Sequence, residues 1–183
     1  MREFTAIDVE DRSIFAGILH DPLFSSRCVR PARREGLHIT LNFLGDVDPG
    51  INEILASGID SVAGGVESYQ VRFEGIGAFP AVDRPSVIWA GVVDSGETGL
   101  LSGRLGECFR PMGLRMESRE FHAHVTLARV RCSVDGRELS RFFSAWGKAE
   151  FGGQEVREVV LKRSDLTPAG PVYSQLHKAP LRT

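Results

Sequence analysis

The sequence predicts an α+β fold of two lobes related by a pseudo-two-fold axis, each with an antiparallel-rich sheet and outer helices, and with the active site in the cleft between them. Three observations lead there. Apolar residues recur at a period of two in some stretches and at helical spacing in others, with turn residues between them. The order strand, helix, His-bearing strand, helix, strand occurs twice, with 31 residues from Ile7 to His38 and 34 from Ala90 to His124. The 183 residues, 42% hydrophobic and 25% charged, suit one globular domain with no low-complexity stretch or linker. Residues 1–183 therefore read as a single bilobal unit built around 38–41 and 124–127.

A strand is expected over Phe4 to Val9, then a helix near Arg12 to His20, where Ile14, Phe15, Ile18 and Leu19 share a face until Pro22 and Ser25-Ser26 break it. An arginine-rich loop with Arg27, Arg30, Arg33 and Arg34 leads to Leu37-His38-Ile39-Thr40-Leu41-Asn42-Phe43. Strict alternation makes that segment a half-buried strand with Leu37, Ile39, Leu41 and Phe43 inward. Asp48-Pro49 supplies an N-cap and first helical residue for a helix through Ile51, Ile54, Leu55 and Ile59, which Gly64-Gly65 stops. Strands near Tyr69 to Phe73 and Ser86 to Val93 flank the turn-rich GIGAFPAVDRP. In the second half a helix carrying Leu101, Leu105, Cys108 and Phe109 ends by Pro111 and Gly113. It precedes a strand over Phe121 to Ala128 and a helix with Leu139, Phe142, Phe143 and Trp146 on one face. A strand over Val156 to Arg163, the turn TPAGP and a strand near Val172 to His177 complete the chain.

The formal charge of −2 argues against a long nucleic-acid track. Residues 1–91 carry a balance of −5 and residues 92–183 one of +3, and of 22 basic residues only Lys148, Lys162 and Lys178 are not arginine. Guanidinium groups present a planar fork that matches phosphate or carboxylate. The unbroken apolar stretches are short, as at Val87 to Ala90, against the ~18 residues of a membrane span. The opening MREFTAIDVEDR has no secretory pattern. Three scattered cysteines, Cys28, Cys108 and Cys132, do not make a disulfide framework, so reduced thiols in a cytoplasmic protein are expected.

Only five histidines and six threonines are present, yet two of each fall in one frame: His38-Ile39-Thr40-Leu41 and His124-Val125-Thr126-Leu127. On a strand, His and Thr then share one face while Ile39 and Leu41, or Val125 and Leu127, anchor the other. A pseudo-two-fold would bring the two His-Thr faces together across a cleft. Two imidazoles with two hydroxyls are a sufficient set for opening a phosphodiester without metal. One neutral histidine takes a proton from water, one protonated histidine gives a proton to the departing oxygen, and the threonines hold the phosphoryl oxygens. No GxxxxGK, GxGxxG, HExxH or CxxC pattern supports a triphosphate, dinucleotide or zinc-protease reading.

These motifs resemble the signature of the two-histidine phosphoesterase superfamily. GLHITLNFLGDVD at 36–48, GIGAFP at 75–80, RPSVIWAGV at 84–92, HVTLARV at 124–130 and PVYSQL at 171–176 narrow the resemblance to its RNA 2′,3′-cyclic phosphodiesterase, or 2′-5′ RNA ligase, branch. The resemblance covers essentially the whole chain. It implies hydrolysis of RNA 2′,3′-cyclic phosphate ends to 2′-phosphates, with His38 as proton donor and His124 as proton acceptor. It also implies reversal with an RNA 5′-hydroxyl to give a 2′-5′ linkage. The residues alone do not separate the two histidine roles. Two alternatives share the motifs: an esterase for a small cyclic nucleotide of the ADP-ribose 1″,2″-cyclic phosphate type, and an RNA-end binding module without turnover.

One segment, Phe121-His122-Ala123-His124, departs from the family pattern, in which a proline commonly stands nearby. His122 shares parity with His124 and is expected at the rim against nucleotide or solvent rather than on a metal. No cofactor or metal is expected. Arg129 has the wrong strand parity and reaches the cleft only if the strand bulges. Tyr173, beside a proline turn, is a candidate to close the site or stack a base. Arg34, with Arg30 and Arg33, is a candidate to steer the RNA backbone. The expected partners are RNA 3′ ends bearing the cyclic phosphate, with no obligate protein partner, so the chain is expected to be a monomer.

Overall fold

The computed structural model describes residues 2–114, 120–168 and 170–183. Its strands are β1 (Arg2–Asp8), β2 (Val29–Pro31), β3 (His38–Asp46), β4 (Tyr69–Phe79), β5 (Val87–Val93), β6 (His124–Val130), β7 (Glu150–Val156), β8 (Glu158–Thr167) and β9 (Gly170–Pro180). Its helices are α1 (Ala16–Leu19), α2 (Asn52–Ala63), α3 (Glu97–Phe109) and α4 (Gly136–Trp146), with short 3₁₀ turns at several ends. Among the described residues the strands form one antiparallel sheet in the order β7-β4-β5-β6-β3-β1-β8-β9, with β2 beside β6. At its middle β3 and β6 meet through one pairing, Ile39 with Val125. The sheet thus divides into two halves of four main strands, one of them joined by the short β2, that abut at the two His-x-Thr-Leu segments.

The halves of the chain are not the halves of the sheet. β4, the strand that follows α2, pairs with β5 of the second half, and β8, which follows α4 and β7, pairs with β1 of the first. The crossover segments are exchanged too. α3, which connects β5 to β6, packs on α2 and β3, whereas Phe15 before α1 packs its ring on Phe73 of β4 and Phe151 of β7. Each half supplies a strand and a crossover to the other, so the two lobes share a continuous core through Ile39, Val125 and Leu127, all at 0% exposure.

Several elements depart from the sequence expectation. The helix at 12–20 is a 3₁₀ turn, Arg12–Phe15, followed by the four-residue α1. β4 continues through GIGAF, where a turn is expected from sequence. Gly75, at φ 73°, absorbs a register shift between Phe73 and Ile76, and the strand resumes. β2 and the glycine-bearing β7, EFGGQEV, lack the alternation that reveals a strand. β6 begins at His124, so His122 precedes it. The TPAGP turn includes Ala169, which lies outside the described residues.

The cysteines require a correction. Cys28 and Cys132 form a disulfide, with Cα atoms 5.0 Å apart, leaving Cys108 free. Val29 pairs with Val130 in the β2–β6 ladder, and the two cysteines flank that pairing, 104 residues apart in sequence. A three-residue edge strand with no apolar alternation gives no sign of this proximity. The inference from reduced thiols to a reducing compartment loses its footing accordingly.

Candidate active site

Both motifs are built in the same way. His38 opposes Asp8 and Thr40 opposes Ala6 across β1–β3; His124 opposes Gly91 and Thr126 opposes Trp89 across β5–β6. In each ladder the register then slips by one residue at the motif leucine: Thr5 pairs with Asn42, and Ile88 with Ala128. A bulge of this kind reverses which residues face the core. Val125, Leu127 and Ala128 are all buried, which marks the reversal, and Arg129 comes to the face that carries His124 and Thr126. Phe43 is the equivalent residue after the first bulge. It is 51% exposed, which corrects its assignment to the core.

The imidazoles are anchored alike. His38 Nδ1 lies 2.6 Å from the carbonyl oxygen of Gly36, and His124 Nδ1 lies 2.6 Å from that of His122. A carbonyl only accepts, so each Nδ1 carries the hydrogen and each Nε2 is left for chemistry. Burial pushes the His38 pKa down to about 4, helped by Lys162 and His124 and opposed by the Gly36 carbonyl and Asp8. His124 is lowered as well, by burial and by His122, against its own carbonyl bond. The two imidazoles are close enough for charge on one to disfavour charge on the other. Both shifts favour neutral histidines.

The surroundings break the symmetry. Phe4 lies 4.9 Å from the His38 ring and Tyr173 meets it edge-on at 5.1 Å. A Cβ on Gly36 would sit 3.0 Å from the Tyr173 ring, so glycine is what lets the ring close over the turn. Beneath, Lys162, 6% exposed, forms an ion pair with Asp8. At the equivalent positions of the other half stand Phe79 and Gly91, with no charge between them. Phe79 meets the His124 ring edge-on at 5.1 Å, and Trp89 lies 6.0 Å from it. Trp89 fits only because residue 77 is glycine: a Cβ there would be 2.2 Å from the indole. One histidine thus stands over a charged pair and the other in an aromatic box.

Of the other sequence candidates, His122 is exposed and packs edge-on against Trp89 at 4.7 Å. Arg129 is exposed, and its charge is felt at the Tyr173 phenol, whose pKa burial raises. Arg34 is exposed on the turn before β3 and joins none of these ring contacts. Asp8, Lys162, Phe4 and Phe79 are not singled out by the sequence, which also places Phe43 in the core.

A family model described as the 2′-5′ RNA ligase superfamily matches residues 19–165. An RNA 2′,3′-cyclic phosphodiesterase of Archaeoglobus fulgidus is 35% identical over 178 residues, 96% of this chain and 98% of that protein. One from Methanothermobacter thermautotrophicus is 32% identical over 178 residues, 96% of each. Among solved structures, TT0787 of Thermus thermophilus superposes with a TM-score of 0.84 at 26% identity, covering 100% of this chain and 98% of that one. E. coli LigT complexed with 3′-AMP has the same fold, with a TM-score of 0.79 at 22% identity and the same coverage.

Proposed function

The chain belongs to the 2′-5′ RNA ligase superfamily, and from that premise we propose that it hydrolyses RNA 2′,3′-cyclic phosphate ends to 2′-phosphomonoesters by metal-independent acid–base catalysis. The observation that carries this reading is the pair of carbonyl-anchored imidazoles, each presenting Nε2 beside a threonine of the same strand face. Water attacks phosphorus opposite the 3′-oxygen. As the new P–O bond forms, His124 Nε2 takes the water proton; as the P–O3′ bond breaks, His38 Nε2 gives its proton to O3′. Thr40 and Thr126 donate hydrogen bonds to the non-bridging oxygens, where charge develops.

Two physical points support this assignment of roles. Burial disfavours imidazolium, but the phosphodiester brings a negative charge, so protonation of His38 accompanies binding. Burial first, with Lys162 adding to it against the Gly36 carbonyl and Asp8, makes the His38 imidazolium a stronger acid than a free one, which suits the proton donor. With an RNA 5′-hydroxyl in place of water the same geometry runs backwards, exchanging the histidine roles and forming a 2′-5′ linkage. RNA 3′ ends are the proposed partners, the protein acting as a monomer. No helix among the described residues is long and apolar enough to cross a membrane.

The test is an oligoribonucleotide ending in a 2′,3′-cyclic phosphate, incubated in EDTA. A 2′-phosphate product is expected, and His38→Ala and His124→Ala should each lower kcat by ~10²-fold or more. Variants within a few-fold of wild type would overturn the acid–base assignment. Loss of activity in EDTA, restored by zinc, would replace it with a metal site that includes His122.

A further inference from the structure

Asp8 and His38 are directly opposite in the β1–β3 ladder. Residues so paired point to the same side of the sheet with Cβ atoms about 5 Å apart, a spacing at which a carboxylate and an imidazole ordinarily join. Here each is engaged elsewhere. His38 Nδ1 is held by the Gly36 carbonyl, and the Asp8 carboxylate is held by Lys162.

Lys162 reaches that carboxylate from the next strand. It opposes Phe4 in the β1–β8 ladder, and Ala6 stands between Phe4 and Asp8 on the same face. The lysine stem therefore runs along β1 over the alanine methyl, and the side chain is 8% exposed. An ion pair so withdrawn from water is weak grounds for stability, because apolar residues of similar volume commonly serve as well. The second lobe shows that the architecture does not require it: the residue opposite His124 is Gly91, with no side chain to pair. The charges accompany one histidine only.

We propose that Lys162 is a positioning residue for the proton donor: by binding Asp8 it keeps that carboxylate from capturing the His38 imidazolium, so the proton on Nε2 is free to pass to the leaving 3′-oxygen. The inference rests on the hydrolytic reading above and adds to it a residue that acts through another. A carboxylate beside an imidazolium stabilises the charged form, and an acid stabilised in that way gives up its proton less readily. The titratable groups facing His38 are Asp8 on β1, Lys162 on β8, Tyr173 on β9 and His124 on β6. Lys162 and His124 disfavour its protonation, and Asp8 favours it. Further out, Arg129 acts on the Tyr173 phenol, while Lys178 pairs with Glu158 and also feels Asp8 and Glu10. Loss of the Lys162 ammonium thus removes an opposing charge from His38 and frees a favouring one.

The experiment measures kcat and KM against pH on an oligoribonucleotide ending in a 2′,3′-cyclic phosphate, and follows the His38 pKa by imidazole NMR without substrate. The proteins are wild type, Lys162→Met, Asp8→Asn and the double variant. Lys162→Met should raise the His38 pKa by about one unit or more, carrying the high-pH limb of kcat/KM with it. It should also lower kcat about tenfold or more without raising KM. Asp8→Asn should move the same pKa and limb downward. The double variant should return both to within about half a unit of wild type and recover most of kcat, since the freed carboxylate is gone. A raised KM for Lys162→Met with the His38 pKa unmoved would make the lysine a substrate contact and overturn the proposal, as would a double variant no better than Lys162→Met. Should Lys162→Met fail to fold, Asp8→Asn decides, and an unmoved limb and pKa there overturn the proposal. Hydrolysis of nothing by wild type would overturn the hydrolytic reading itself, and the NMR titrations would still report the charge relation between the three side chains.

Discussion

His38 is a group whose protonation the fold opposes, and that has a consequence for stability. In the unfolded chain the imidazole takes up a proton as pH falls below about 6.5; in the folded protein burial delays this to about 4. Between those values the unfolded state holds the extra proton, so stability present at pH 7.5 is lost as pH drops through that window. The loss attributable to His38 is up to about 3 kcal/mol. Urea unfolding at pH 7.5 and 4.5 should show a steeper decline for wild type than for His38→Asn. Parallel declines would show that the residue is not buried as described. Asp21 does not confuse the comparison. Burial pushes its carboxyl up, but hydrogen bonds from Arg141, Trp146 and the Leu23 amide outweigh it and hold the pKa at about 2, so its contribution is lost only at lower pH. At this scale the two histidines and threonines are legible in the sequence, because a repeated tetrapeptide needs no structure to be seen. Lys162 and Asp8 are not, since a lone lysine in VVLKRS carries no sign that it will be buried beneath an imidazole 124 residues earlier in the chain.

At the level of single elements, the bulges at Leu41 and Leu127 decide which side chains enter the cleft. Strict alternation assigns Phe43 to the core and keeps Arg129 away from the cleft; one inserted residue in each ladder reverses both. Period-two reasoning holds up to a bulge and inverts after it, and nothing in the composition of HITL or HVTL announces the slip. GIGAF misleads for a related reason. Its glycines suggest a turn, whereas one absorbs a register shift and the next makes space for an indole. Gly77→Ala tests this directly. The added methyl would overlap the Trp89 ring, so the indole must move, and with it the wall beside His122 and His124. The expected result is destabilisation by about 1–3 kcal/mol, with kcat falling more than that of a Gly103→Ala control, where the added methyl meets open space. An unchanged kcat would mean that the aromatic box does not position His124.

Across the whole molecule, the disulfide closes a long loop that contains β3 to β6 and both motifs. A link spanning roughly 100 residues restricts the unfolded chain by about 4–5 kcal/mol in the chain-entropy account. Reduction with dithiothreitol, or Cys28→Ser, should lower the unfolding free energy by up to that amount, and a change below about 1 kcal/mol would show that the bond adds little to an already well-packed ladder. The topology also explains how far sequence reasoning can go. Strand and helix order along the chain is readable from periodicity, and so is the approximate two-fold. The exchange of β4 and β8 between lobes is not, because pairing partners distant in sequence leave no local pattern.

That exchange has the form of a domain-swapped dimer whose two subunits have been joined end to end. A chain ending after β4 would leave that strand without β5 and β1 without β8, each edge waiting for a second copy. Two such copies would complete one another and would set their two histidine strands side by side at the symmetry axis. The candidate site thus has the geometry of a subunit interface within a single polypeptide, and because its two sides are separate stretches of sequence they can differ, one holding an ion pair and the other an aromatic box.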